Sequence, residues 1–245
     1  MVKQPDGIAE QRTHQGSSAM DFVPPGYRSH GPSAFEVLHH PDESPDFVNE
    51  LASLIVGVAD IMHADLGHRL SCSLNLCVYR NSDDAAAALG RTVPTTMLMA
   101  PRIGPDWSLI VCHSPEADPR NGDWRRMRRH LAHEFAHVWL ADFIGGMRVL
   151  GDGGRLSKVR PWFDEGFAEM AAAHVCARPE IIERYLATPR DGEWNEDDLD
   201  ATLNDIGSPR RPAAFAEAVL RMHARSNDRT LRDVLHDVPT CRPTE

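Results

Sequence analysis

The sequence predicts an α+β fold in which a strand-rich half precedes a helical half. Segments with the alternation typical of strands lie before residue 115. Segments with apolar residues three and four positions apart, as in amphipathic helices, dominate after it. The chain has 245 residues, of which 42% are hydrophobic, and this fraction is enough for a sizeable core. We therefore expect a single domain over residues 34–245, with a strand-rich half at 34–115 and a helical half at 116–245.

The strand-rich half follows a segment of different composition. Residues 1–33 are rich in Gly, Pro, Ser, Gln and His and show little apolar periodicity, which predicts a disordered arm. After the arm, alternation or apolar composition predicts four strands, at Phe35–His39, Ser73–Arg80, Thr96–Met99 and Trp107–Cys112. Two segments of the same half have helical periodicity, the long Ser44–Leu66 and the short Asp83–Leu89.

The helical half begins with a predicted helix over Trp124–Ile144, for which Asn121 and Asp123 are candidate N-caps. Its apolar residues form a single stripe that predicts one buried face: Met127, Leu131, Phe135 and Val138. The same periodicity predicts further helices over Pro161–Ala177, Glu180–Leu186, Ala213–Ala224 and Thr230–Val238. The acidic segment Gly192–Asp200 predicts a surface loop, and the glycine-rich and basic Gly145–Arg160 predicts a loop between the first two helices.

The composition excludes several classes of protein. A net charge of −10 argues against a nucleic-acid partner, which favours a basic face. We see no apolar run approaching the roughly 20 residues that span a bilayer, and the N-terminus lacks the pattern of a secretory signal. The five cysteines are scattered and odd in number, as in a protein with reduced thiols. We therefore expect a cytoplasmic protein with no nucleic-acid or membrane partner.

A metal-binding motif lies on the Trp124–Ile144 helix, with the sequence His133-Glu134-Phe135-Ala136-His137. Two histidines four residues apart on a helix lie on one face, so their imidazoles can share one metal ion. A glutamate directly after the first histidine can take a proton from a water on that metal, as in zinc-dependent hydrolases. Because the pentapeptide also occurs by chance, a third ligand is needed to support a metal site.

Glu165 is the candidate third ligand, because catalytic zinc takes three protein ligands and keeps one position for water. Glu169 lies four residues further along the same predicted helix. It is suited to accept a hydrogen bond from the free ring N–H of a ligating histidine, which fixes the tautomer of that ligand. The alternative is that both carboxylates face solvent, as glutamates on helices commonly do.

Two segments resemble the gluzincin zinc metallopeptidases. His133-Glu134-Phe135-Ala136-His137-Val138-Trp139 is similar to their His-Glu-x-x-His-x-Trp segment. Trp162-Phe163-Asp164-Glu165-Gly166-Phe167-Ala168-Glu169 is similar to their Trp-Leu-Asn-Glu-Gly-Phe-Ala-Glu segment. The layout also resembles the small bacterial peptidase MA-like proteins of the same superfamily. The resemblance implies a zincin-like fold with a Zn²⁺ site in the cleft between its two parts. It implies that His133, His137 and Glu165 ligate the zinc, and that Glu134 is the general base.

The chain departs from the family pattern in two ways. Residues 138–164 separate His137 from Glu165, a longer interval than is usual in the family, and the surplus falls in Gly145–Arg160. The Gly-x-Met-Glu-Asn segment, with which the aminopeptidase branch holds a free amino terminus, is absent from the sequence. The second departure puts aminopeptidase activity in doubt.

Three further features concern the substrate. In the wider family a tyrosine or histidine often stabilises the oxyanion, and Tyr185 is the candidate here, with His174 and His223 as rivals. Extended substrates in the superfamily pair with an edge strand beside the active helix. Trp107–Cys112 is the candidate for that strand, with an ordinary core strand as the alternative. Four arginines crowd the first turns of the helix and are either an anionic-substrate grip or, as we favour, a solvated surface: Arg125, Arg126, Arg128 and Arg129.

The motifs support three hypotheses about function. The first is a zinc-dependent metallohydrolase that cleaves a peptide or amide bond with a zinc-activated water. The second is a tailoring enzyme on the same scaffold, acting on a small peptide or metabolite in a biosynthetic pathway without general protease activity. The third is a binding or regulatory protein with a vestigial site, against which the intact set of four motif residues argues.

Overall fold

A computed structural model describes residues 22–90, 99–103, 107–115, 122–144, 159–188, 192–205, 207–227 and 229–238. Over these residues the chain has the predicted α+β architecture, with a small mixed sheet and a larger number of helices. The strands are β1 (Arg28–His30), β2 (Phe35–His39), β3 (Ser73–Tyr79), β4 (Met99–Ile103) and β5 (Trp107–His113). The helices are α1 (Pro45–Leu66), α2 (Ser82–Leu89), α3 (Trp124–Phe143), α4 (Pro161–Val175), α5 (Glu180–Leu186), α6 (Glu196–Asn204), α7 (Arg211–Arg225) and α8 (Leu231–Leu235).

The sheet has the order β1-β2-β3-β5-β4. Its three central strands are parallel, with Val37 opposite Leu76 and Leu76 opposite Ile110, and both outer strands are antiparallel to their neighbours. Helices α1 and α3 and the central strands contribute to one hydrophobic core, which also includes seven residues of α4. The predicted stripe of α3 is buried, and Asp123 caps this helix by accepting from the backbone N–H of Arg125 and Arg126.

The predicted edge strand is not at an edge. β5 lies between β3 and β4, so the alternative, an ordinary core strand, is correct for Trp107–Cys112. A continuous apolar run is typical of a strand covered on both faces, and residues 109–112 form such a run. Among the described strands, β4 is the outer strand on this side of the sheet, and its backbone lies beside α3. The part of predicted strand Thr96–Met99 before residue 99 lies outside the described residues.

The predicted arm includes ordered structure at its C-terminal end. β1 pairs antiparallel with β2, and the buried Phe22 accepts a hydrogen bond from the hydroxyl of Tyr79. A strand of three polar residues has no hydrophobic alternation, so the sequence offers no signal for it. Residues 1–21 of the arm lie outside the described part of the chain.

The acidic segment Gly192–Asp200 is also different from the prediction, because its second part forms the start of α6. Asn195 caps this helix by accepting from the backbone N–H of Asp198 at 2.8 Å. Three acidic residues then occupy the first turn, where negative charge complements the helix dipole. Leu199 and Leu203 are fully buried beneath them, so the acidic composition marks the outer face of a helix.

Helix α1 is the one described helix that is long and apolar enough, by length and composition alone, to cross a membrane. No such helix was predicted from the sequence. Its buried face carries Leu51, Ile55, Val58 and Met62, each at most 1% exposed, and these residues pack in the main core. The core helix of a folded domain meets the same test of length and composition.

Candidate metal site

The site is built where α3 packs against α4. The apolar stripe of α3 packs in the core. His133 and His137 lie on the adjoining face of the helix, where their side chains are 16% and 18% exposed. Helix α4 begins with Pro161 at its first turn, where a proline is tolerated, and its residues from Trp162 to Glu169 are all buried. Glu165 is thereby brought opposite the two histidines.

The three predicted metal ligands converge on one point. One ligand atom each from His133, His137 and Glu165 lies within 4.8 Å of the others. The two Nε2 atoms are 3.2 Å apart, and Oε2 of Glu165 is 3.5 Å from the first and 3.8 Å from the second. Ligand atoms about 2.0–2.2 Å from a tetrahedral zinc ion lie roughly 3.4 Å from one another. The donor set and its spacing therefore fit a zinc ion bound by two imidazoles and one carboxylate.

Carboxylates lie behind both histidine rings. Oε2 of Glu169 is 3.2 Å from Nδ1 of His133, which is the contact that the sequence predicts. Oδ1 of Asp164 is 2.6 Å from Nδ1 of His137, and this contact was not predicted. The sequence feature that could have predicted this contact is the position of Asp164 directly before Glu165. Both residues lie on one turn of α4, so both can reach the histidine pair. In both rings Nδ1–H donates to a carboxylate, so Nε2 is left for a metal.

The carboxylates are held in turn by arginines that the sequence analysis did not assign to the site. Nη2 of Arg129 donates to Oε1 of Glu169, which also accepts from the hydroxyl of Tyr185 at 3.2 Å. Nη2 of Arg211, at the start of α7, is 3.5 Å from Oε1 of Glu165. The signal for Arg129 was its position four residues before His133, on the same face of α3.

These contacts shift the pKa values of the metal-free site. Burial lowers the pKa of His133, but its bonds to Glu165 and Glu169 outweigh burial and raise the pKa to about 10. Burial likewise opposes the charge on His137, and the neighbouring Asp164 carboxylate raises its pKa overall. Burial raises the pKa of Glu169, but His133 and Arg129 outweigh it and lower the pKa to about 2.

A pocket of about 220 Å³ adjoins the site on the side of Glu134. Its lining residues come from α3, α4, α5 and α7: Arg129, His130, His133, Glu134, Glu169, Tyr185 and Phe215. Tyr185, the predicted oxyanion donor, is therefore in the same pocket as the predicted base. Burial is the main cause that raises the pKa of Tyr185 to about 12, so its hydroxyl keeps its proton at neutral pH.

The rival histidines lie elsewhere. His174 and His223 line a different pocket, between α1, α4, α7 and α8, and His174 is bonded to Asp65 at 2.8 Å. The structure thus brings Tyr185 to the site and leaves its two rivals outside it.

The arginines in the first turns of α3 have different surroundings and different partners. Arg128 donates to the backbone carbonyl of Val175, at the C-terminal end of α4, and Arg129 donates to Glu169. Arg125 is exposed. The prediction of a solvated surface therefore holds for Arg125 and is wrong for Arg128 and Arg129, both of which are half-buried.

The described side chains of the site all belong to the helical half, whereas the sequence analysis expected a cleft between the two halves. The predicted loop Gly145–Arg160 lies outside the described residues, except for Val159 and Arg160. Comparison with protein-family models finds no match for this chain, and no curated protein matches it. The resemblance to the gluzincins stays a prediction that rests on the two motifs.

Proposed function

We propose that the chain is a zinc-dependent metallohydrolase with a zincin-like fold, which cleaves a peptide or amide bond. The observation that carries the proposal is the convergence of His133, His137 and Glu165 from two helices at separations suited to one zinc ion. Histidine and carboxylate together, with a further position left for water, are typical of catalytic zinc sites. The two motifs that resemble the gluzincins contain all three residues.

The chain's own residues would supply proton transfer and orientation. Zinc bound there polarises a carbonyl oxygen and acidifies water. Glu134, in the adjoining pocket, accepts the proton of the attacking water and passes it to the leaving amine. Asp164 and Glu169 hold the two imidazoles with Nε2 toward the centre. Tyr185 lines the same pocket with a protonated hydroxyl, which donates to Glu169 in the metal-free site and would turn toward an oxyanion in the substrate complex.

The position of β4 supports an extended substrate. Its backbone lies beside α3 as the outer described strand, and an outer strand has unpaired N–H and C=O groups along one side. A peptide in extended conformation can add to such a strand through main-chain hydrogen bonds. We therefore assign to β4 the substrate-pairing role that was predicted for Trp107–Cys112.

Two observations favour the second hypothesis, a tailoring enzyme that acts on a small peptide or metabolite. A pocket of about 220 Å³ has room for a single side chain or small acyl group, and the sequence lacks the segment that anchors a free amino terminus in aminopeptidases. These features favour a tailoring enzyme that hydrolyses one small peptide or metabolite. Activity on small acyl amides, with none on a library of peptides, would distinguish this function from that of a general peptidase.

The test of the proposal combines metal analysis with one substitution. We expect purified protein to hold about one zinc ion per chain. We expect Glu134→Gln to keep the zinc and to lower kcat by roughly 10²–10⁴-fold, the usual contribution of a general base. The probe is a library of internally quenched peptides together with small acyl amides. Glu183→Gln, an exposed glutamate on α5, is the matched control and should retain full activity.

Two results would overturn the proposal. The metal site is wrong if the wild-type protein, purified with zinc present, retains no metal after gel filtration. The assigned base is wrong if Glu134→Gln turns over a cleaved probe as fast as the wild type. In the first case the third hypothesis, a binding or regulatory protein with a vestigial site, becomes the better account.

A further inference from the structure

Arg129 lies one turn before His133 on α3, so the two side chains share a face of the helix. Its guanidinium contacts two residues from other helices. Nη2 donates to Oε1 of Glu169 on α4 and lies 3.5 Å from the hydroxyl of Tyr185 on α5. The Glu169 side chain is 4% exposed and that of Arg129 is 31% exposed. The ion pair and the Tyr185 hydroxyl therefore join three helices, and the carboxylate of the pair is shielded from solvent.

The two carboxylate oxygens of Glu169 have different partners. Oε1 is held by Arg129 and Tyr185, and Oε2 faces Nδ1 of His133. A carboxylate fixed in this way can only accept from the ring at Nδ1. The hydrogen bond in turn selects the tautomer of His133 that leaves Nε2 for a metal. Arg129 therefore contacts Glu169, and Glu169 contacts the candidate metal ligand His133.

Arg129 also compensates part of the negative charge of the site. Four carboxylates surround the centre, those of Glu134, Asp164, Glu165 and Glu169, and two guanidiniums contact them, those of Arg129 and Arg211. A divalent cation would balance the remaining two negative charges. Burying a carboxylate without a partner is costly, so loss of Arg129 would leave Glu169 as an uncompensated charge once His133 is neutral.

We propose that Arg129 is a positioning residue of the metal site, which orients Glu169 and through it His133. The proposal rests on the proposed zinc site. It assigns Arg129 no contact with the substrate, in contrast to the anionic-substrate grip considered from the sequence. The two roles predict different measurements, because a grip changes KM for acidic substrates and a positioning residue changes the affinity for the metal itself.

The experiment measures the zinc dissociation constant by competition with a chromogenic chelator at pH 7.5. We expect Arg129→Met to weaken zinc binding by roughly 10–100-fold, the usual effect of losing an outer partner of a ligand. Arg129→Lys keeps the charge but cannot reach both Glu169 and Tyr185 in the same geometry, so we expect an intermediate constant. The matched control is Arg125→Met, an exposed arginine on the same helix, and it should bind zinc within about twofold of the wild type.

A double-mutant cycle tests whether the effect passes through Glu169. In a Glu169→Gln background, Arg129→Met should cost less than about a third of its effect in the wild type, because partners in one network are not additive. Full additivity would overturn the proposal, as would a zinc constant for Arg129→Met equal to that of the wild type. If Arg129→Met does not fold, as judged by circular dichroism, the same cycle with Arg129→Lys decides. Failure of the wild-type protein to bind zinc is a different result, which refutes the metal site itself.

Discussion

At the residue scale, the two histidines are held by carboxylates of different length. Asp164 reaches Nδ1 of His137 at 2.6 Å and Glu169 reaches Nδ1 of His133 at 3.2 Å. We expect Asp164→Ala to weaken zinc binding by roughly 10–100-fold, because the ring loses the partner that fixes its tautomer. Asp164→Asn should have a smaller effect, since the amide oxygen still accepts. The control is Asp83→Ala on α2, and equal zinc constants for all three variants would contradict the assigned role.

Tyr185 can be tested for the role that the sequence predicts. Tyr185 lines the pocket that Glu134 also lines, and its hydroxyl donates to Glu169. If it stabilises an oxyanion, Tyr185→Phe should lower kcat by roughly 10²–10³-fold with KM little changed. Zinc affinity should change much less, because Arg129 still holds Glu169. A variant with unchanged kcat and weaker zinc binding would instead make Tyr185 a positioning residue.

The pKa values of the metal-free site predict how zinc binding depends on pH. The pKa of His133 is raised to about 10, so its ring is a doubly protonated imidazolium at pH 7, and the pKa of His137 is raised as well. Zinc binds only the neutral ring, so it must displace the extra proton of His133. The affinity should therefore rise with pH between 6 and 8, by about tenfold per unit for each proton released. Calorimetric titration in buffers of different ionisation enthalpy counts the protons, and a count of zero would contradict the prediction.

At the element scale, α4 is fixed in place by a close approach to α7. A Cβ on Gly166 would lie 2.6 Å from the backbone oxygen of Ala218 and 2.9 Å from Cβ of Met222. A backbone carbonyl cannot move aside cheaply, so Gly166→Ala should destabilise the fold by about 1–3 kcal/mol, more than the gain in helix propensity. Gly57→Ala on α1 is the matched control, because nothing lies within 4 Å of its Cβ.

We expect Gly57→Ala to raise the free energy of unfolding by up to about 1 kcal/mol, so the two variants should differ in sign. Urea unfolding at one pH measures both. A Gly166→Ala variant as stable as Gly57→Ala would mean that α4 and α7 do not approach as closely as the distance above requires.

The elements that were predicted correctly are those with a local signal. Helix α3 carries an apolar stripe and the N-cap Asp123, and α4 begins with Pro161 in its first turn, so both could be predicted. Helical spacing then placed His133, His137 and Glu165 on defined faces of these helices. The place of β5 in the sheet could not be predicted, because strand order depends on contacts between distant segments. Helix α6 was not predicted, because the acidic composition of its first turn was taken as typical of a surface loop, although Leu199 and Leu203 are buried. Arg211 on α7 contacts Glu165 on α4, although the two residues are 46 positions apart in the sequence. No sequence pattern within either helix indicates that pairing.

At the scale of the whole molecule, the site joins helices that are far apart in the chain. Its described residues run from Arg129 on α3 to Phe215 on α7. A metal at their meeting point should therefore stabilise the fold as a whole, because it binds the native arrangement and not the unfolded chain.

Zinc at about 1,000 times its dissociation constant should add about 4 kcal/mol to the free energy of unfolding. For a chain of this size, that corresponds to a rise in Tm of about 8–16 °C over the chelator-treated protein, measured by calorimetry. His137→Ala should lose the rise, because it removes a ligand. His174→Ala, which removes a histidine bonded to Asp65 in the other pocket, should keep it. An equal rise in both variants would place the stabilising metal away from α3 and α4.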